Sequence, residues 1–167
     1  LKRWYDCCNH FNIDKFHTVD ADDPFFDGNL MKQSMMLLEE GYDAVCPTES
    51  SSAGNASVGY SLTKEIIRKA LELVDEDADT EMMWHYIDKV KGHKKIVLPD
   101  TDPNRPVARL TLDYEEDYWL LHTVQRVVGS LAERGSVDKL FLDNPDLYKV
   151  NWFRNLEWKL GQQEKGV

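Results

Sequence analysis

A chain of 167 residues, 42% hydrophobic and 11% aromatic, has the material for one packed domain and is not a disordered segment. Its formal net charge of −10 comes from acids scattered along the whole length, which argues against a nucleic-acid partner, and no apolar run approaches the ~20 residues of a membrane-spanning helix. Cys7, Cys8 and Cys46 show no CxxC or Cys/His ligand spacing, so a structural zinc is disfavoured and a reducing, cytoplasmic setting is expected.

Residues 1–11 repeat apolar side chains at helical spacing but lack a capping residue, and read as a helix entered partway. Lys15 to Ala21 alternates as a strand and runs into Asp22-Asp23-Pro24. Asp27 is placed to cap a helix over residues 28–40, with Gly41 as its stop, and Tyr42 to Pro47 is a second short strand. Strand, helix and strand in this order mark a parallel sheet unit. Glu49 to Asn55 is small, polar and aperiodic, and is expected to be a surface loop.

Ala56 to Leu62 reads as a further strand, and Lys64 to Val74 as a helix through Ile66, Ile67, Ala70 and Leu71. The acidic stretch 75–79 is expected to cap a shorter helix over 80–90. Lys95 to Leu98 and Val107 to Leu112 are two more predicted strands, separated by the turn-rich stretch 99–106. Glu115 to Arg134 is the longest predicted helix, and a short one follows from Ser136 to about Asp143. Residues 147–167 carry an apolar stripe of Trp152, Phe153, Leu156 and Trp158, a tail expected to dock on the body of the domain or on a second copy in a homodimer.

Two acids stand out in this series. Asp22 follows one predicted strand and Asp113 another, and each precedes a helix; in an α/β sheet both would open on the crevice where such folds bind ligands. Taken alone, Asp113 with Glu116 is a D-x-x-E capping box and Asp22-Asp23-Pro24 a turn. Together they fit a hard cation, because Mg²⁺ in nucleotide chemistry is held by one or two carboxylates while phosphates and water complete its shell.

The two segments, Ala21-Asp22-Asp23-Pro24-Phe25-Phe26-Asp27 and Arg109-Leu110-Thr111-Leu112-Asp113-Tyr114-Glu115-Glu116-Asp117, resemble motifs of the sugar-activating cytidylyltransferases. These are the acylneuraminate and 3-deoxy-manno-octulosonate cytidylyltransferases and the spore-coat polysaccharide synthesis proteins similar to them. Asn144-Pro145-Asp146-Leu147 and Val150-Asn151 look like the C-terminal portion of that family. The resemblance implies a GT-A-like nucleotidyltransferase fold with a mixed, mostly parallel sheet flanked by helices. It further implies transfer of CMP from CTP to an acidic sugar, giving a CMP-sugar and pyrophosphate for surface polysaccharide synthesis. Asp22 and Asp113 would be the catalytic Mg²⁺ ligands, and Asp20, Asn55, Tyr60 and Arg109 the substrate-binding residues.

The glycine- and arginine-containing loop that cradles the triphosphate in that family has no counterpart here, so the resemblance places these residues in its C-terminal portion, with the N-terminal nucleotide-binding half missing. Two other readings are open. One is a non-catalytic or partner-binding fragment of the same fold, using the Trp152 to Trp158 stripe. The other is a glycosyltransferase using a nucleotide-sugar through Asp20-Ala21-Asp22, a D-x-D whose two acids would share one face of a strand.

Overall fold

The structure is a computed structural model that describes residues 1–75, 78, 83–100 and 104–164. It is an α/β fold with a mixed sheet flanked by helices. The chain divides into two compact units. Unit 1 is Leu1–Thr18, Met31–Cys46 and Tyr60–Leu98; unit 2 is Val19–Leu30, Pro47–Gly59 and Pro99–Val167.

Unit 1 holds the sheet. Strands β1 (Lys15–His17), β2 (Ala44–Cys46), β3 (Ser61–Thr63) and β4 (Lys95–Val97) lie in the order β1-β3-β2-β4. Lys15 faces Thr63 and Ala44 faces Leu62, both in antiparallel register, while Ala44 faces Lys95 in parallel. The expectation of a mostly parallel sheet is therefore corrected: two of the three described pairings are antiparallel. The predicted strand–helix–strand unit does exist, since β1 and β2 both oppose β3 and so run the same way. The next strand fills the slot between them, and only β4 adds a parallel neighbour.

Helix α1 (Lys2–Phe11) ends at Asn12 in the left-handed conformation, which asparagine adopts at low cost. Helix α3 (Lys64–Leu71) is started by Thr63, whose Oγ1 accepts the Ile66 N–H at 3.2 Å. It buries Ile66, Ile67 and Ala70 with Leu62, Ala44 and Ile87 in the core of this unit. The spacing of those residues fits one helical face. The acidic stretch and the beginning of the helix expected over 80–90 fall largely outside the described residues; what is described is a short helix α4, Trp84–Ile87. Residues 101–103 of the predicted turn-rich stretch lie outside them as well.

Helix α2 (Gly28–Glu39) follows the predicted capping. The Asp27 carboxylate accepts the N–H groups of Asn29 and Leu30 at 2.8 and 3.2 Å, and Gly41 leaves the helix at φ 100°. In unit 2, α5 (Glu115–Val128) and α6 (Arg134–Asp143) bury Leu120, Leu121, Val124, Val137 and Phe141 against Leu110 and Phe25. A single helix to Arg134 was expected, but Gly129, at φ 94°, ends the first one six residues after Thr123 and the chain turns before the second. A short 3-10 turn, Leu147–Val150, leads into α7 (Trp152–Glu164).

Two segments of unit 2 depart from expectation. Residues 49–55 keep Glu49, Ser52 and Ala53 at the surface, as expected, but are not an irregular loop. Ser51–Asn55 forms a wide helical turn broken at Gly54, with Ser51 and Asn55 buried. The Ser51 hydroxyl explains it, accepting the N–H groups of Ser57 and Val58 and donating to the Val58 carbonyl at 2.9 Å. Residues 107–112 join no sheet, because their backbone donors go elsewhere: Leu110 N–H to the Gly54 carbonyl and Leu112 N–H to the Asp22 carbonyl, both at 2.9 Å.

Candidate functional site

The bond from Leu112 to Asp22 brings the two acidic segments side by side within unit 2. Asp22 sits half-buried in the turn of residues 20–23, closed by the Asp23 N–H on the Asp20 carbonyl at 3.2 Å. Asp113 stands immediately before α5. The shared setting of strand, acid and helix expected from the sequence is thus met only at the helix end, since neither acid directly follows a sheet strand.

Four carboxylates converge electrostatically here. Burial pushes the Asp23 carboxyl up to about 7; a hydrogen bond from the Thr111 side chain pulls against this, and the charges of Asp22, Asp20 and Asp113 add to the rise. Asp20 is also raised, by partial desolvation and then by Asp22. An acid raised chiefly by burial and further by like-charged neighbours marks a place where a carboxylate is poorly compensated. Among the described residues no group of three or more His, Cys, Asp or Glu side chains is arranged to hold a metal by itself. A pair of hard oxygen donors suits Mg²⁺ that takes its remaining ligands from phosphate and water.

Behind Asp113 lies a buried charge network. Asp117 has no solvent exposure and accepts five hydrogen bonds. Two come from Arg109 (Nε 2.9 Å, Nη2 3.1 Å), two from the N–H groups of Asp113 and Tyr114 (3.0 Å each), and one from Asn151 Nδ2 at 2.8 Å. Arg109, 2% exposed, also donates Nη2 to Asp113 Oδ2 at 2.6 Å. Its planar fork suits this bridging of two carboxylates. The Tyr114 ring is flanked by the guanidinium groups of Arg109 and Arg154, 5.4 and 4.9 Å from its centre.

The expected capping box is displaced by one residue. Tyr114 caps α5 and Asp117 answers it, whereas Glu116 forms a two-pronged pair with Arg154 at 2.9 Å. Asp113 does not cap because Arg109 holds its carboxylate.

The remaining residues expected at the site are distributed as follows. Asp20 is exposed beside Asp22. Asn55 is 5% exposed: its Oδ1 and carbonyl accept from Arg134 at 3.0 and 2.8 Å, and its Nδ2 donates to the Pro106 carbonyl. The polar groups of Asn55 and Arg109 are thus engaged inside the unit. Tyr60 belongs to unit 1, where its N–H donates to Thr18 Oγ1 at 2.9 Å and its ring stacks on Trp84.

Sequence reasoning passed over Asp23, Asp117 and Asn151. The doubled acids Asp22-Asp23 and the run Glu115-Glu116-Asp117 were the available signals. Choosing among adjacent acids required knowing which one faces the interior.

No protein-family model matches the chain, and no curated protein matches it. Among solved structures, the chain is similar to a cytidylyltransferase from Leptospira borgpetersenii serovar Hardjo-bovis (strain JB197), with a TM-score of 0.73 and 15% sequence identity. The alignment covers 88% of this chain and 63% of that one, so the chain spans under two thirds of that protein's length and shares its fold.

Proposed function

We propose that this chain belongs to a nucleotidyltransferase that transfers CMP from CTP to a hydroxyl of an acidic sugar, releasing pyrophosphate and giving a CMP-sugar for polysaccharide synthesis. The observation that carries this reading is the Leu112–Asp22 backbone junction, which joins the segment leading into Asp113 to the Asp22 turn in a fold similar to that of a cytidylyltransferase. Asp22 and Asp113 would hold Mg²⁺, which when bound would offset the charge of the phosphates. The chain's own residues contribute order and charge. Arg109 and the Asp113 N–H donated to the Asp117 carboxylate fix Asp113 at the start of α5, and the Asp22 turn is tied through its carbonyl. Holding reactants in place is most of what such a transfer asks of a protein, since no covalent intermediate is required.

The test is pyrophosphate release by the intact protein from CTP and Mg²⁺ with a panel of acidic sugars. Asp113→Asn is expected to lower turnover by at least about a hundredfold with the fold retained, the size seen when one transition-state charge contact is lost. Turnover unchanged in that variant refutes the metal-ligand role. Consumption of a nucleotide-sugar in place of CTP would mean a glycosyltransferase.

A further inference from the structure

Arg109 is shared between two carboxylates of unequal standing. Asp117 is fully buried and takes two of its N–H groups; Asp113 is 36% exposed and takes one, on Oδ2 alone. An arginine pressed against a metal ligand is a competitor for the metal, because a full ion pair with the guanidinium would leave the carboxylate with no net charge to offer a cation. The three side chains together carry one negative charge in excess, and the exposed member of the trio is Asp113.

We infer that Asp117 is a positioning residue whose charge occupies Arg109 and so keeps Asp113 available to a divalent cation; the inference rests on the metal site proposed above. Asp117 acts twice. Its Oδ2 fixes the backbone N–H groups of Asp113 and Tyr114, which sets the direction of the Asp113 side chain. Its charge also neutralises the guanidinium from the buried side, with Asn151 Nδ2 holding Oδ1 in place. With Asp117 made neutral, Arg109 has a single anionic partner, and Asp113 is silenced as a ligand.

The experiment is a titration of the intact protein with Mn²⁺, free ion being read by electron paramagnetic resonance, and folding checked by circular dichroism. The wild type binds Mn²⁺, and Asp113→Asn abolishes binding. Asp117→Asn is expected to weaken it at least about tenfold, as loss of one unit of nearby charge requires. Adding Arg109→Gln to Asp117→Asn removes the competing cation and brings the affinity back toward wild type. A purely structural role for Asp117 predicts the reverse, the double variant binding no better than the single one, and that result overturns the inference while leaving the metal site standing. Asp117→Asn binding as tightly as wild type overturns it equally. If Asp117→Asn does not fold, the double variant, which leaves no buried charge unpaired, is compared with wild type directly: retained affinity supports the inference and lost affinity overturns it. A wild type that binds no Mn²⁺ overturns the inference and the metal site together.

Discussion

Asn151 makes a sharp test of the buried network, because its two ends are unequal. Its Nδ2 donates to the Asp117 carboxylate at 2.8 Å and to the Arg109 carbonyl at 2.9 Å, while its Oδ1 is buried with no hydrogen-bond partner among the described residues. Asn151→Ala removes one bond to a charged group, worth about 1.5–3 kcal/mol, and one neutral bond of about 1 kcal/mol. It also removes the unpaired oxygen, whose burial costs about 1–3 kcal/mol, so the net loss comes to about 1 kcal/mol. In a chain of this length that lowers the unfolding midpoint by about 2–4 °C.

Asn151→Asp keeps the shape but turns the donor into an acceptor facing Asp117 Oδ1. At pH 7 the introduced carboxylate meets a like charge in the interior and the loss rises to about 3–5 kcal/mol. The introduced carboxyl has its folded pKa raised, so the folded chain binds the proton more tightly. Relative to wild type at the same pH, the Asp variant should therefore regain stability as pH falls toward 5, when the protonated group can donate again, and the Ala variant should show no such recovery. Urea denaturation of wild type and both variants at pH 7 and pH 5 provides the measurement, read as midpoint shifts at constant slope. An Asp variant as stable as the Ala variant at pH 7 refutes the assigned direction of the Nδ2 bonds and with it the network.

Gly54, at φ 131°, has a missing Cβ position 3.1 Å from the Ala108 carbonyl oxygen and 3.3 Å from Asn155 Oδ1; Gly54→Ala is expected to lose about 1–3 kcal/mol from backbone strain and crowding, measurable by the same denaturation. Asp23 titrates near 7 when folded against an ordinary 3.8, so the folded chain holds the proton more tightly and its contribution to stability falls as pH rises from about 4 to about 7. Asp23→Asn should abolish that slope, and a slope unchanged in the variant would count against the raised pKa of the buried Asp23 carboxyl. His17 in unit 1, which burial pushes down to about 4 from 6.5, acts with the opposite sign: stability present above pH 6.5 is lost as pH falls toward 4, and His17→Gln should flatten that limb.

What the sequence revealed was local chemistry. The Asp27 cap, the Gly41 stop and the apolar face of α3 each follow from a handful of neighbouring residues, and the structure has all three. The misread segments are those whose backbone partners are far away in the chain. Residues 107–112 look like a strand by alternation, yet their N–H groups reach Gly54 and Asp22, and nothing near them in sequence announces it. The polar run 49–55 looks like a connector because serine and glycine usually make connectors. Here one serine hydroxyl gathers two N–H groups and a carbonyl into a buried turn. At the site the acidic segments were legible, whereas the division of labour among Asp113, Glu116 and Asp117 depended on which carboxylate Arg109 and Arg154 each claim.

Each unit is assembled from three separated stretches of chain. No contiguous piece of chain therefore carries the whole acid site without stretches of the sheet-bearing unit. A piece beginning at Pro99 would carry Asp113, Asp117 and Asn151 but would leave behind Asp22 and the Gly54 carbonyl that Leu110 needs. Residues 31–46 and 60–98 of the sheet-bearing unit travel with any segment that spans the parts of the acid site.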